Sequence, residues 1–219
     1  MDSTSGRPPQ APLPGGSHLV VLGHPSPDSF NAALARTYID TVKANGQQTV
    51  LRDLYALGFD PLLKESERTA SDLTQVPEDA RRELELAEQA DVILFVYPLW
   101  FGAPPAIVKG YLDRVFGAGS RSIDFQTPGK SPFAGKQLAV ISTSGAQRPW
   151  LEAHGVWQSL RQSFDQYLKD VVGFAHCDHY HADAIADGLN PTHATRVLAE
   201  VAQFADKMCS AASPAAMRE

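Results

Sequence analysis

Cysteine is scarce in this chain: Cys177 and Cys209 are the only two among 219 residues. Two are too few for a disulfide framework or a Cys-rich metal site, so packing rather than cross-linking must hold the fold. Positive charge is outnumbered, 19 Lys and Arg against 25 Asp and Glu for a net charge of −6. That balance argues against nucleic acid as a partner, because neutralising phosphates takes a basic face. No apolar run approaches the roughly eighteen residues that a membrane span requires. The opening stretch, MDSTSGRPPQAPLPGGS, has neither the basic nor the apolar region of a secretory signal, and the expected address is the reducing cytoplasm. The glycine signatures GxGxxG and GxxxxGK[ST] are missing, so no dinucleotide fingerprint or P-loop is encoded. A catalytic triad around Ser142 or Ser144 with His154 lacks its GxSxG elbow.

What is present alternates. Residues 1–17 and 210–219, rich in Pro, Gly, Ser and Ala, read as tails around one domain at 18–209. HLVVLGH (His18–His24) has the length and apolarity of a buried strand. A helix follows, with Leu34, Tyr38 and Val42 on one face and Gly46 as its stop. QTVLRDLYA alternates like a strand, and residues 59–77 read as a polar surface connection. PEDARRELELAEQA predicts a helix striped by Ala80, Leu84 and Ala87, with Pro77 and acids at its start. DVILFVYP is a third strand, and Pro105 opens a helix with Ile107, Tyr111 and Val115 inside. KQLAVISTS is a fourth strand, and VWQSLRQSFDQYLKDVVG a fourth helix striped by Val156, Leu160, Phe164 and Val171. FAHCDHYHA is a fifth strand and NPTHATRVLAEVAQFADKM a closing helix.

Five alternations with right-handed crossovers imply a mostly parallel sheet with helices on both faces. Five strands suit an α/β, flavodoxin-like three-layer sandwich in the order 2-1-3-4-5. Such sheets bind ligands beyond the carboxyl ends of their strands, where the order reverses. Three loops converge there. Gly23–Asn31 leads into a helix whose first-turn amides lack intrahelical acceptors, an anion site by construction. Ser29 is the candidate N-cap, and His24, Ser26 and Asn31 add donors, while Asp28 is repulsive to an anion unless it points outward. Alone, the loop reads equally as a capped helix with no ligand. Pro98, Leu99, Trp100, Phe101 and Gly102 offer a rigid apolar shelf to a flat ring; alone, the two aromatics read as packing under a neighbouring loop or at a subunit contact. Ser142–Trp150 opens small and polar. Thr143, Ser144 and Gly145 suit the carbonyl edge of a heterocycle, with Gly145 permitting a positive φ, and His154 lies downstream. Together the loops provide what a flavin mononucleotide requires. HCDHYH (His176–His181) puts Cys177, His179 and His181 on one strand face, a soft-metal pattern with no second Cys/His group to complete it.

These residues resemble the NAD(P)H:quinone oxidoreductases of the flavodoxin-like superfamily, which include DT-diaphorase and the flavoprotein subunits of bacterial potassium-efflux transporters. The resemblance is carried by GHPSPDSFNAAL, LRDLYALGFDPLL, YPLWFGAPPAIVKGYLDRVF, SPFAGKQLAVISTSGA and His154-Gly155. It implies FMN, or alternatively FAD, with its phosphate region on His24, Ser29, Phe30 and Asn31. The ring would lie against Pro98, Leu99, Trp100, Phe101 and Gly102, and its pyrimidine edge against Thr143, Ser144, Gly145 and Ala146. His154 matches the family histidine that helps to stabilise charge on the reduced ring. The family's PLxWFG is shortened here to PLWFG, which puts Phe101 in the tryptophan slot. The tyrosine preceding the family histidine has no clear match, and Trp150 is the nearest aromatic. The implied activity is two-electron ping-pong hydride transfer from NAD(P)H through flavin to a quinone, in a homodimer. The alternative is an ancillary flavin-binding module of the same fold, attached for example to a transporter.

Overall fold

The computed structural model describes residues 16–68, 73–117 and 131–212. Of the tails expected at 1–17 and 210–219, residues 1–15 and 213–219 lie outside the described residues. In chain order the elements are β1 (Ser17–Leu22), α1 (Phe30–Ala44), β2 (Gln48–Asp53), α2 (Glu65–Arg68), α3 (Glu78–Gln89), β3 (Val92–Pro98), α4 (Ala106–Tyr111), β4 (Gln137–Thr143), α5 (Arg148–Ala153), α6 (Val156–Leu160), α7 (Tyr167–Val172), β5 (His176–Ala182) and α8 (Pro191–Ala211). The five strands form one sheet in the order β2-β1-β3-β4-β5, every neighbouring pair parallel. This is the expected flavodoxin-like arrangement. Strands buried on both faces read as continuous apolar runs, and all seven residues of both β3 and β4 are buried.

Successive side chains of a strand point to opposite faces, which divides the core in two. Leu19, Val21, Ile93 and Phe95 face α3, α4 and the α6–α7 segment, while Val20, Leu22, Leu94 and Val96 face α1 and α8. The predicted stripes of α1 and α3 are all inside, Leu34, Tyr38, Val42, Ala80, Leu84 and Ala87 each being buried. The closing helix runs to Ala211 and β1 begins at Ser17. Ser17, Ser210 and Ala211 therefore belong to the fold and not to tails. No described helix is long and apolar enough to cross a membrane.

Two other expectations need correction. The segment after β2 is not simply a polar surface connection: Phe59, Glu67 and Val76 are buried within it. The predicted fourth helix is interrupted by a π-helical stretch, Arg161–Gln166. Wider π loops shift the inward face relative to α spacing, so the stripe continues from Phe164 to Val172 while Val171 is exposed.

The buried Glu67 is explained by Arg114, which is buried with it. The guanidinium donates from Nε to Glu67 Oε1 at 2.8 Å, from Nη1 to Asp79 Oδ2 at 2.7 Å and from the same nitrogen to the Asp60 carbonyl at 2.7 Å. It also lies 5.1 Å over the Phe59 ring. Beside it, a Cβ added to Gly110 would stand 2.2 Å from the Pro61 carbonyl oxygen. The stretches DLYALGFDP and PAIVKGYLDRVF are thus two sides of one contact, with Gly110 leaving room for the Pro61 backbone and Arg114 tying down the Asp60 carbonyl. Breaking a buried ion pair by removing one partner leaves the other charge stranded. Arg114→Met is expected to cost about 3–5 kcal/mol in chemical denaturation, and Arg114→Met with Glu67→Gln should cost less than the single change.

Candidate active site

The cleft lies at the carboxyl ends of β1, β3, β4 and β5. Its main part, about 500 Å³, is lined by His24, Ser26, Ser29, Phe30 and Asn31 from the first loop, Pro98, Leu99 and Trp100 from the second, and Thr143, Ser144 and Gly145 from the third. A second part of about 400 Å³ shares Leu99, Ser144 and Gly145 and adds Phe101, Gly102, Ala146, Trp150, Leu151 and Val156. Of the candidate site residues, only His154 lines neither part. Ser29 and Trp100 share one wall system, as the strand order demanded.

Each loop is set by a local cause. Ser29 caps α1, its hydroxyl accepting from Ala32 N–H at 3.2 Å. Asn31 is buried, and its Nδ2 donates to Thr143 Oγ1 at 3.0 Å, tying the first loop to the third. His24 Nδ1 accepts from Ser26 N–H at 3.0 Å, which puts the proton of the neutral ring on Nε2. Its partial burial favours that neutral form by lowering its pKa. The ring sits 6.2 Å from Trp100.

The second loop leaves the sheet under control. Leu99 N–H donates to the Thr143 carbonyl at 2.7 Å, continuing the β3–β4 pairing past the strand ends. Trp100 and Ala103 then exchange both backbone hydrogen bonds, at 3.0 and 3.2 Å, across Phe101 and Gly102. Phe101 has φ 51° and Gly102 φ 75°, the paired left-handed residues of a type I′ turn. Glycine takes that conformation freely; phenylalanine does so at a cost on the order of 1–3 kcal/mol. The Phe101 ring is fully exposed. The sequence placed Phe101 on the apolar shelf, and the structure adds that its backbone is left-handed and its ring exposed at the edge of the second part of the cleft.

The third loop is shorter than expected. Ser142 and Thr143 end β4 and Arg148–Trp150 open α5, so only residues 144–147 span the gap. Gly145 has no positive φ. Ser144 is held on both sides, its N–H donating to the Ala182 carbonyl at 3.1 Å and its own carbonyl accepting from Ile185 N–H at 2.8 Å. His154 is exposed and stacks on Trp150 with ring centroids 4.1 Å apart. Its Nδ1 bonds the Trp150 carbonyl at 2.8 Å.

A fourth wall was missed. Ile185, Ala186, Asp187, Gly188 and Leu189, which follow β5, also line the cleft. The order 2-1-3-4-5 sets β5 beside β4, so the loop after β5 had to open on the same edge. The histidines of the preceding strand are the stronger sequence signal and hide it. They are engaged in hydrogen bonds: His179 contacts Asp165 at 2.7 Å and Ser142 at 2.6 Å, and His181 contacts Ser142 at 2.8 Å. No metal-binding group of three such side chains occurs among the described residues.

Residues 17–208 match a family model described as flavodoxin-like fold. The chain belongs to that family. It is 35% identical over 158 residues to a Haemophilus influenzae protein named an uncharacterized NAD(P)H oxidoreductase, covering 72% of this chain and 78% of that protein. It is 32% identical to NAD(P)H dehydrogenase [quinone] 1 of Rattus norvegicus over 63% of this chain, and spans only 57% of the rat enzyme's length. Among solved structures, the NAD(P)H:quinone oxidoreductase of Methanothermobacter marburgensis superposes with a TM-score of 0.72 at 21% identity, covering 87% of this chain and 98% of that one. At that identity the likeness concerns the fold.

Because the Phe101 backbone is left-handed, Phe101→Gly is expected to raise stability by about 1 kcal/mol. Urea denaturation of the two proteins checks it.

Proposed function

We propose that this protein is a flavin-dependent NAD(P)H dehydrogenase (quinone), taking a hydride from reduced nicotinamide and delivering it to a quinone or similar acceptor in two ping-pong half-reactions. One observation carries the reading. A capped helix start with hydroxyls, an apolar shelf of Pro98, Leu99 and Trp100, and the small loop from Thr143 to Gly145 all face one cleft. The relatives described above, named for NAD(P)H oxidation and quinone reduction, support the same class.

The donor set fits a flavin. Ser26, Ser29 and the first-turn amides of the fifteen-residue α1 suit the phosphate. No Lys or Arg is among the residues lining the main cleft, so the helix dipole and hydrogen bonds would carry anion recognition. Asn31 contributes by holding the loop, since its amide is spent on Thr143. Trp100, with Phe101 and Gly102 beyond it, would cover the ring, and Ser144, Gly145 and Ala146 would meet its polar edge. The flavin, FMN or alternatively FAD, supplies the two-electron chemistry. The chain's part is to place nicotinamide and acceptor in turn over one face and to stabilise charge where it develops. His154 and Trp150 would stand at the rim. With Nδ1–H on the Trp150 carbonyl, the neutral His154 ring presents Nε2 as an acceptor and donates from it only when protonated.

A homodimer completes the proposal. Leu112, Phe116, Phe164, Leu168 and Val171 line a groove of about 310 Å³ beside an exposed Tyr167, and a second copy seated there would cover it. Cys177 and Cys209 form no disulfide, in keeping with a cytoplasmic address.

The purified protein is expected to be yellow and to release FMN on denaturation, with NAD(P)H oxidation accelerating strongly on adding a quinone. A colourless protein that takes up neither flavin rejects the reading, and a yellow protein without quinone-dependent turnover leaves the ancillary module. Trp100→Ala should weaken flavin binding about tenfold by fluorescence titration, given the size of one stacking contact with its buried area.

A further inference from the structure

Behind the cleft runs a chain of buried hydrogen bonds. It begins at Asp165 in the π-helical stretch, whose Oδ2 lies 2.7 Å from His179 Nδ1 and 2.9 Å from Arg161 Nη1. His179 Nε2 lies 2.6 Å from Ser142 Oγ, and that hydroxyl lies 2.8 Å from His181 Nδ1. His181 Nε2 lies 3.0 Å from Ser144 Oγ, which is also 2.7 Å from the Ala146 carbonyl. Ser144 lines both parts of the cleft. The His179 and Asp165 side chains are essentially buried, and Ser142 is wholly so. Each of the inner side chains, His179, Ser142 and His181, touches two partners in the chain, which a staple between β4 and β5 would not need.

We propose that Asp165, His179, Ser142, His181 and Ser144 form a proton relay that stores one proton on the His179–Asp165 pair and exchanges it with the cleft at Ser144. Two arrangements satisfy every bond among the five side chains, and the second also makes the bond from Ser144 to the Ala146 carbonyl. In the empty one, each hydrogen points toward the carboxylate: Ser144 O–H to His181 Nε2, His181 Nδ1–H to Ser142, Ser142 O–H to His179 Nε2, and His179 Nδ1–H to Asp165. In the loaded one, His179 carries both ring protons and three bonds reverse. His179 Nε2–H donates to Ser142, Ser142 O–H to His181 Nδ1, His181 Nε2–H to Ser144, and Ser144 O–H to the Ala146 carbonyl. The arrangements differ by one proton and need no heavy atom to move.

Discharge breaks the Ser144 O–H bond, passing that proton to a base in the cleft. Ser144 takes the proton from His181 Nε2, His181 Nδ1 takes one from Ser142, and Ser142 takes one from His179 Nε2. The net change is one proton from His179 to the cleft, with no electron moved. The use of the relay rests on the function proposed above. NAD(P)H and a quinone yield NAD(P)⁺ and hydroquinone only if one further proton joins the hydride, and the relay supplies it to the acceptor anion. Burial lowers the pKa of both histidines, His181 to about 4, while the bond to Asp165 opposes that fall at His179, so the stored proton belongs on His179 and crosses His181 only in transit. The groups facing the storage pair are Arg161 from the π-helical stretch, Arg148 from α5, Cys177 on β5 and Tyr97 on β3.

The test is a pH titration of the purified protein with nitrogen-labelled histidine, read by NMR. As His179 gains its second proton, His181 is expected to switch from Nδ1–H to Nε2–H with the same midpoint. In Ser142→Ala the two rings should titrate independently, whereas Ser142→Thr, which keeps the hydroxyl, should retain the coupling. Ser142→Ala should also lower quinone-dependent turnover about a hundredfold, the scale of one lost proton-transfer group, and remove the decline in activity that appears as rising pH empties the relay. A wild-type His181 that keeps one tautomer while His179 titrates overturns the relay, with or without turnover. Coupled switching in a protein that binds no flavin sustains the relay and rejects only the function proposed above.

Discussion

Thr143 is where the cleft is tied together. Its carbonyl accepts the Leu99 N–H at 2.7 Å and its hydroxyl accepts the Asn31 amide at 3.0 Å, so one residue at the end of β4 holds the other two loops. Parallel strands deliver their carboxyl ends to one edge but do not position the loops that leave them. The Thr143 contacts do that here, and Ser144 extends the same control to β5 through the Ala182 carbonyl and the Ile185 amide. The rigid sheet thereby sets loop positions that loop sequences alone leave open.

The fold was legible because burial on both faces forces a simple pattern. Val92–Pro98 and Gln137–Thr143 have no solvent side to encode, and the helices between them repeat apolar residues at helical spacing. Once the strands were counted, topology located the cleft, and all three expected loops line it. The missed features share a cause: each depends on a partner distant in sequence. Glu67 looked like a surface acid because nothing nearby reveals Arg114. Ala186 and Gly188 carry no chemical signal, and they line the cleft only because β5 lies beside β4. The stripe at Val171 failed because a π-helical stretch leaves no clear mark in composition.

Two kinds of polar burial serve different ends in this molecule. The Arg114 cluster pairs opposite charges, and it anchors the connection after β2 to α3 and to the turn that continues from α4. The network behind the cleft is built mainly of groups that both give and accept hydrogen, apart from one carboxylate, and it joins two strands to the π-helical stretch. A buried hydroxyl between two imidazoles is a poor choice for stability alone, since an apolar side chain of similar size fills the space without needing partners.

The meeting of Gly110 with the Pro61 backbone has a consequence for variation in this family. With a clearance that excludes even a methyl group, neither stretch can be exchanged alone for a homologous segment whose path differs by an ångström. Residues 59–61 and 107–114 pack as a single unit, and chimeras cut between them will join halves that do not seat.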